Sequence, residues 1–312
     1  MSSRRGVLSY IAKRLLWLIP TLLLVITMGF VLVRLLPGGP FDEERAVPAE
    51  IQKALNAKYH LDDPIWKQYF DWLWAFLSRG DLGPTFRYPN RSVSEIIGMS
   101  LPISMQLGSM AMILALIAGL GLGMLGAAKQ NTWMDTASTA ASLLLISLPR
   151  FVLAPLLILV FSLQLYWLPV ARWESPRHMV LPVICAAAPA AATIARLFRS
   201  GMIEILRSDF IRTAKAKGLP RNHILYRHAW KGAMLPVLSY IGPGLSHLLV
   251  GSIVIERIFH IPGMGRYFVE AALNRDYNLL LGVMLVYGII LMVINTIVDI
   301  AYAYLDPRVE LG

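Results

Sequence analysis

Six apolar stretches divide this chain, at residues 15–36, 100–128, 136–165, 180–195, 232–255 and 279–305. A run of about 20 apolar residues crosses the hydrocarbon core of a bilayer as a helix. The chain therefore reads as an all-α polytopic membrane protein with six transmembrane helices. Composition agrees. Of 312 residues, 56% are hydrophobic and 15% charged, where a soluble domain carries about 25% charged residues. Mean hydropathy is +0.58. The net charge of +10 is compatible with a nucleic-acid partner by sign alone. The bases gather at segment ends, however, which is the pattern of membrane orientation and argues against nucleic acid. Cys185 is the single cysteine, so neither an intrachain disulfide nor a cysteine metal cluster is available. It sits in an Ala-rich run, as an inert buried thiol.

In order, residues 1–36 form a cytoplasmic N-terminus (Arg4, Arg5, Lys13, Arg14) and the first span, with no small-residue cleavage site. Arg34, in its last turn, is placed to snorkel to the outer headgroups. Residues 37–99 form an extracytoplasmic segment whose nine acids nearly balance its seven bases. Helical patterns run over 48–59 and 63–78. The second carries Trp66, Tyr69, Phe70, Trp72, Trp74 and Phe76, which suits a helix lying on the outer interface or a cap over an entrance. In the second span Gly121, Gly123 and Gly126 match a dinucleotide fingerprint in spacing. They neither follow a strand nor open a βαβ unit, and close helix packing is the better use for them.

The third span is interrupted by Pro149 and Pro155, with Arg150 at the break. A charge at mid-depth costs about 2.5 to 3.5 kcal/mol on insertion scales and needs a partner. Arg150 is open to two readings: a structural ion pair or snorkelling, or a place on a pathway facing a carboxylate. Trp167 and Trp173 anchor the next outer loop. The fourth span, 180–195, enters loop 196–231, where nine Lys and Arg face two acids. The positive-inside rule makes that loop cytoplasmic. The fifth span holds Pro236, Gly242, Pro243, Gly244 and Gly251, as expected of a bent helix beside a pore. An outer loop opens at Glu256 and contains the tight turn Pro262-Gly263-Met264-Gly265, a candidate outer gate through Pro262, Gly263 and Gly265. Asp299 lies towards the inner end of the sixth span, and residues 306–312 form a cytoplasmic tail. Pro149, Arg150, Glu256 and Asp299 are the candidate pathway residues.

The most informative polar stretch is residues 208–220. Ser208 or Asp209 can cap a helix N-terminus, Lys215 and Lys217 suit the negative end of its dipole, Gly218 fits a left-handed C′ position, and Pro220 stops it. At 100° per residue Ile203, Leu206, Phe210, Thr213 and Ala214 share one side, while Ser208, Arg212 and Lys215 fall opposite. Such a basic amphipathic helix rests either on anionic headgroups or against a soluble partner.

This stretch resembles the cytoplasmic loop of permease subunits of binding-protein-dependent ABC importers, marked by Glu-Ala-Ala, three residues, then Gly. Here Arg212-Thr213-Ala214, then Lys215-Ala216-Lys217, then Gly218 hold those positions, so the Glu and first Ala are replaced. Arg227-His228-Ala229 and Leu235-Pro236-Val237-Leu238 follow, in a form similar to the peptide-transporting branch. Further landmarks resemble its B-type subunit: Leu36-Pro37-Gly38-Gly39-Pro40, Lys58-Tyr59-His60-Leu61, Gly80-Asp81-Leu82-Gly83, Pro262-Gly263-Met264-Gly265 and Asn274-Arg275-Asp276-Tyr277. They cover nearly the whole chain in order.

The resemblance implies a type I ABC importer permease fold, with a core over residues 100–305. It implies a non-catalytic subunit of an ATP-driven oligopeptide or dipeptide importer in a bacterial cytoplasmic (inner) membrane, with both termini inside. The implied partners are a second homologous permease, two ATP-binding subunits that hold ATP and Mg, and an extracytoplasmic peptide-binding protein, besides peptide substrate and membrane lipid. No cofactor is implied on this chain, and no Gly-x-x-x-x-Gly-Lys-Ser/Thr occurs in it. The implied ATPase-coupling residues are Asp209, Phe210, Arg212, Thr213, Ala214, Lys217, Gly218, Leu219 and Arg221. Nickel or glutathione are the alternative cargoes within the family. Outside it, an ion-coupled secondary transporter wants several intramembrane acids, and only Asp299 qualifies clearly. A membrane-embedded enzyme wants facing catalytic groups, and Arg150, His247 and Asp299 make no such set.

Overall fold

The computed structural model describes residues 2–35, 39–41 and 49–305, with side chains over 16–35, 39–41, 50–51, 53–249 and 252–298. The expectations on Leu36, Pro37, Gly38 and Pro48, on the side chains of Arg4, Arg5, Lys13, Arg14 and Asp299, and on the tail lie outside the described residues. The described elements are helices joined by turns and loops, with one isolated antiparallel bridge between Pro84 and Ser92. The helices are α1 (Ser2–Leu35), α2 (Ala49–Lys58), α3 (Ile65–Arg79), α4 (Val93–Ala128), α5 (Trp133–Ser147), α6 (Arg150–Leu157), α7 (Pro176–Leu206), α8 (Asp209–Ala216), α9 (Arg221–His223), α10 (Trp230–Ala233), α11 (Leu235–Ile258), α12 (Met264–Leu273) and α13 (Tyr277–Leu305). Two π-helical turns, Ile158–Gln164 and Ile224–Ala229, continue α6 and join α9 to α10.

Five stretches among the described residues are long and apolar enough to cross a membrane: Leu16–Leu35, Val93–Ala128, Pro176–Leu206, Leu235–Ile258 and Tyr277–Val298. The expected third span is not one straight helix. Trp133–Ser147 and Arg150–Gln164 meet at 106°. Proline is the cause. Pro149 offers no N–H and pushes Leu148 out of the helical region, to φ −80 and ψ 115. The helical signal of the fourth span is also longer than the apolar run alone. α7 has 31 residues and carries Arg196 and Arg199 within it. The second helix likewise starts early, at Val93 rather than near 100.

The chain forms two compact units. The smaller comprises Ser9–Ile103 and Pro262–Met292. Its core gathers Ile26 and Phe30 of α1, Trp72 of α3, Val93, Ile96 and Ile97 of α4, and Leu279, Leu281 and Val283 of α13. The aromatic helix α3 turns one face to α1: Tyr69 shares a 2.7 Å hydrogen bond with Thr27 and meets Phe30 edge-on at 5.1 Å. Its Trp66, Phe70, Trp74 and Leu77 remain exposed.

Arg34 has partners within its own unit. Its Nη2 donates to Gln68 Oε1 at 2.8 Å, and the guanidinium lies over the Phe30 ring at 3.6 Å. The buried Asp276 carboxylate accepts from the backbone N–H of Phe86, Arg87 and Leu279, pinning the 84–88 loop to the start of α13. Tyr88 donates to Glu270 at 2.6 Å. Burial first, then that bond, pushes its phenol above the usual tyrosine range.

The larger unit comprises Ser104–Ile261 with residues 2–8 and 293–305. Lipid tails are as apolar as leucine, so helices associate here through close contact of small side chains. α7 presents a buried alanine face (Ala187, Ala191, Ala195) to its neighbours. A Cβ on Gly119 would stand 2.6 Å from the Ala191 carbonyl oxygen, and one on Gly123 2.6 Å from that of Ala195. These two glycines let α4 and α7 touch. Of the expected stripe, Gly123 and Gly126 lie close to α7, with a Gly126 Cβ 3.0 Å from the Arg199 side chain, while Gly121 meets nothing within 4 Å. α5 is held to α7 by Arg199, whose Nε and Nη2 donate to the two Asp135 oxygens at 2.6 and 2.8 Å. α10 closes on α7 through Phe198 and Trp230, edge to face at 4.8 Å.

Candidate functional site

The loop between α7 and α11 is built by local rules. Helix α7 ends at Arg207, Ser208 is extended at φ −70 and ψ 156, and α8 starts at Asp209. Ser208 stands at the N-cap but does not cap with its side chain. Its hydroxyl donates back to the Ile205 carbonyl at 2.6 Å, because the preceding helix offers it a closer acceptor. The C-terminal end follows expectation. Gly218 has φ +75, its N–H donates to Lys215 O at 2.9 Å, and the Leu219 N–H reaches Ala214 O at 3.3 Å. Those two bonds are a Schellman motif, with Leu219 packed against Ala214 as its apolar contact.

The buried side of α8 differs from the sequence-based phase. Ile211 is fully buried and Ala214 nearly so, in a cluster with Ile224, Ile205, Leu206 and Leu219. Phe210, expected inside, is 51% exposed, and Thr213 is exposed as well. The break at 207–208 resets the helical phase, so positions on α7 do not predict the face of α8. Arg212 and Asp209 pair on the exposed side at 3.3 Å, a contact worth little in water. Arg221 Nη2 donates to the Ala128 carbonyl, tying the loop to the end of α4. The nine residues assigned to coupling thus lie in α8, the turn after it and, for Arg221, the start of α9. Ile211, Ile224 and the Asp135–Arg199 clamp were missed. The Ile211–Ala214 spacing of three would have shown the first, had the helix been phased from Asp209.

The candidate pathway residues are not one cluster in sequence or setting. Pro149 is the N-cap of α6, and Arg150 begins it. Arg150 is half-buried, its carbonyl faces the Cys185 thiol at 3.7 Å, and no ion pair among the described residues includes it. No described carboxylate therefore supports the ion-pair reading of Arg150. Glu256 closes α11 and is fully buried. Its Oε1 accepts from the Ser104 and Ser252 hydroxyls, each at 2.8 Å. In the candidate gate, Pro262 is exposed, Gly263 is extended at φ −91 before α12, and Gly265 is buried. The left-handed position of that turn is His260 at φ 51. Among the described residues, no group of three or more His, Cys, Asp or Glu is placed to hold a metal ion.

These features define a multi-pass membrane component with a capped helix on a polar loop. Residues 119–311 match the family model for the binding-protein-dependent transport system inner membrane component, and the chain belongs to that family. It is 45% identical over 305 residues to the oligopeptide transport system permease protein OppB of Haemophilus influenzae, covering 97% of this chain and 99% of that one. OppB of Escherichia coli gives the same identity and coverage. The dipeptide transport system permease protein DppB of Bacillus subtilis is 44% identical over 302 residues, covering 97% and 98%. Among solved structures, the MetNI methionine ABC transporter in an inward-facing conformation matches with TM-score 0.59 at 14% identity, over 68% of this chain and 96% of that one. An amino acid ABC transporter crystallised with histidines matches with TM-score 0.53 at 14% identity, over 67% and 94%. The fold is that of type I ABC importer permeases, in a multi-pass inner membrane protein.

Proposed function

We propose that this chain is a permease subunit of an ATP-driven importer of oligopeptides or dipeptides, forming half of the pathway and moved by an ATPase that grips α8. The form of α8 carries the reading. It is short, closed by a Schellman turn and packed on one side, while Phe210, Arg212 and Thr213 are bare on the other. A push on such a helix moves it as a body and tilts the helices to which it is joined. The substrate class is supported by the oligopeptide and dipeptide transport permeases that are similar over 97% of the chain.

The assembly would add a second homologous permease, two ATP-binding subunits carrying ATP and Mg, and an external peptide-binding protein. Loop 196–231 and both termini would be cytoplasmic. Arg150 beside Pro149 would face the peptide carboxylate, with Asp299 further along. Glu256 would join the pathway when its serine bonds open, and Pro262, Gly263 and Gly265 would form the outer gate. The test is uptake by the assembled complex in proteoliposomes. Phe210→Ala with Arg212→Ala should lower both ATPase co-purification and peptide uptake at least tenfold, with membrane insertion unchanged. Solute accumulation by this chain alone, under an ion gradient without ATP, overturns the reading.

A further inference from the structure

Beside α8 the larger unit contains a cavity of about 820 Å³, walled by the end of α4, the turn into α5, the end of α7, α8 and the segment after it. Lys129, Arg207, Lys215 and Arg221 line it, and no acidic residue does. None of these four takes part in an ion pair among the described residues. Of the acids close by in sequence, Asp135 pairs with Arg199 and Asp209 with Arg212, and Glu204 is not part of the lining. Four like charges from four separate segments are thus held around one space, with no described carboxylate lining it or paired with them.

The chemistry narrows what belongs there. A guanidinium fork matches the paired oxygens of a phosphate, and a lysine ammonium adds a point charge beside it. The volume falls within the range of small-molecule sites, roughly 300 to 1,000 Å³, and far exceeds a simple halide. Leu206 and Leu219 supply an apolar wall for the organic part of an ester. Both α4 and α7 are long and apolar enough to span a membrane, so the cavity at their ends is within reach of anionic headgroups as well as free solutes. We infer that this cavity binds a phosphate-bearing anion, a glycerophosphate-type ester, presented by a lipid headgroup or free in solution. The inference stands on this geometry and holds whatever the cargo of the importer.

Native mass spectrometry of the full chain in detergent tests it, with phosphatidylglycerol, phosphatidylcholine and free glycerol phosphate as probes. Phosphatidylglycerol should be retained at least tenfold over phosphatidylcholine. Lys129→Gln with Arg207→Gln should abolish that preference, and Lys129→Arg with Arg207→Lys should keep it. Retention of phosphatidylglycerol alone makes the lipid headgroup the source; retention of glycerol phosphate as well makes the free ester sufficient. If the double glutamine variant loses its thermal transition, Arg207→Gln alone, with a preference reduced several-fold, gives the same reading. Equal retention of both lipids without glycerol phosphate binding, or a preference that survives the glutamine changes in folded protein, overturns the inference. So does displacement of the anion by added ATPase subunits that the glutamine variant cannot bind, since the cavity would then take a protein acid.

Discussion

Gly218 shows how much one backbone angle can govern. At φ +75 it supplies the turn that satisfies the last carbonyls of α8, and a Cβ there would meet nothing within 4 Å. The cost of a side chain is therefore conformational, about 1–2 kcal/mol, and largest for a β-branched residue. Gly218→Val should cut ATPase stimulation by the assembled complex several-fold, whereas Gly218→Asn, which tolerates the left-handed region, should stay within twofold of wild type. Equal loss in both variants would mean that crowding, not the angle, matters at this position. Arg150 poses the complementary question of charge. It has no carboxylate partner among the described residues, and a partly buried guanidinium favours one. Arg150→Ala should reduce uptake of peptides with a free C-terminal carboxylate at least fivefold more than uptake of their C-terminal amides. Identical losses for both substrates exclude contact with the carboxylate.

At the scale of elements, what was legible in the sequence followed from rules that act over a few residues. The break at Pro149 and the left-handed Gly218 were readable because each depends on the residue itself and its immediate neighbours. The length of α7 was not. Arg196 and Arg199 read as the start of a loop, since charge usually ends a span, but Asp135 sixty-four positions away neutralises Arg199 and lets the helix run on. The contact of Arg34 with Gln68, which belongs to another helix, was unreadable for the same reason. Long-range pairing carries no local pattern. The glycine stripe of α4 is an intermediate case, with spacing visible and roles not. Gly123→Ala places a methyl 2.6 Å from the Ala195 carbonyl oxygen and 3.2 Å from the Arg199 nitrogen, an overpacking cost of about 1–3 kcal/mol. The purified chain should unfold several degrees lower in detergent. Gly121→Ala meets nothing within 4 Å and gains helix propensity, so its transition should hold or rise.

The whole molecule must satisfy the bilayer as well as itself, and the arrangement of charge along the chain is the trace of that demand. The loop at 196–231 carries nine Lys and Arg against two acids, while 37–99 is nearly balanced. From that contrast the positive-inside rule predicts opposite sides of the membrane for the two segments. Cys185 makes the idea accessible to direct measurement, because it is the single cysteine and is fully buried. In a Cys185→Ala background, Trp74→Cys on the exposed face of α3 should react with a membrane-impermeant maleimide in intact cells whose outer barrier has been opened. Arg212→Cys on α8 should react only after the inner membrane is permeabilised. Labelling of both positions before permeabilisation contradicts the orientation. An inverted pattern does more damage, since it moves α8 to the side where no nucleotide-driven partner can reach it, and the proposed route of energy into the pathway falls with it.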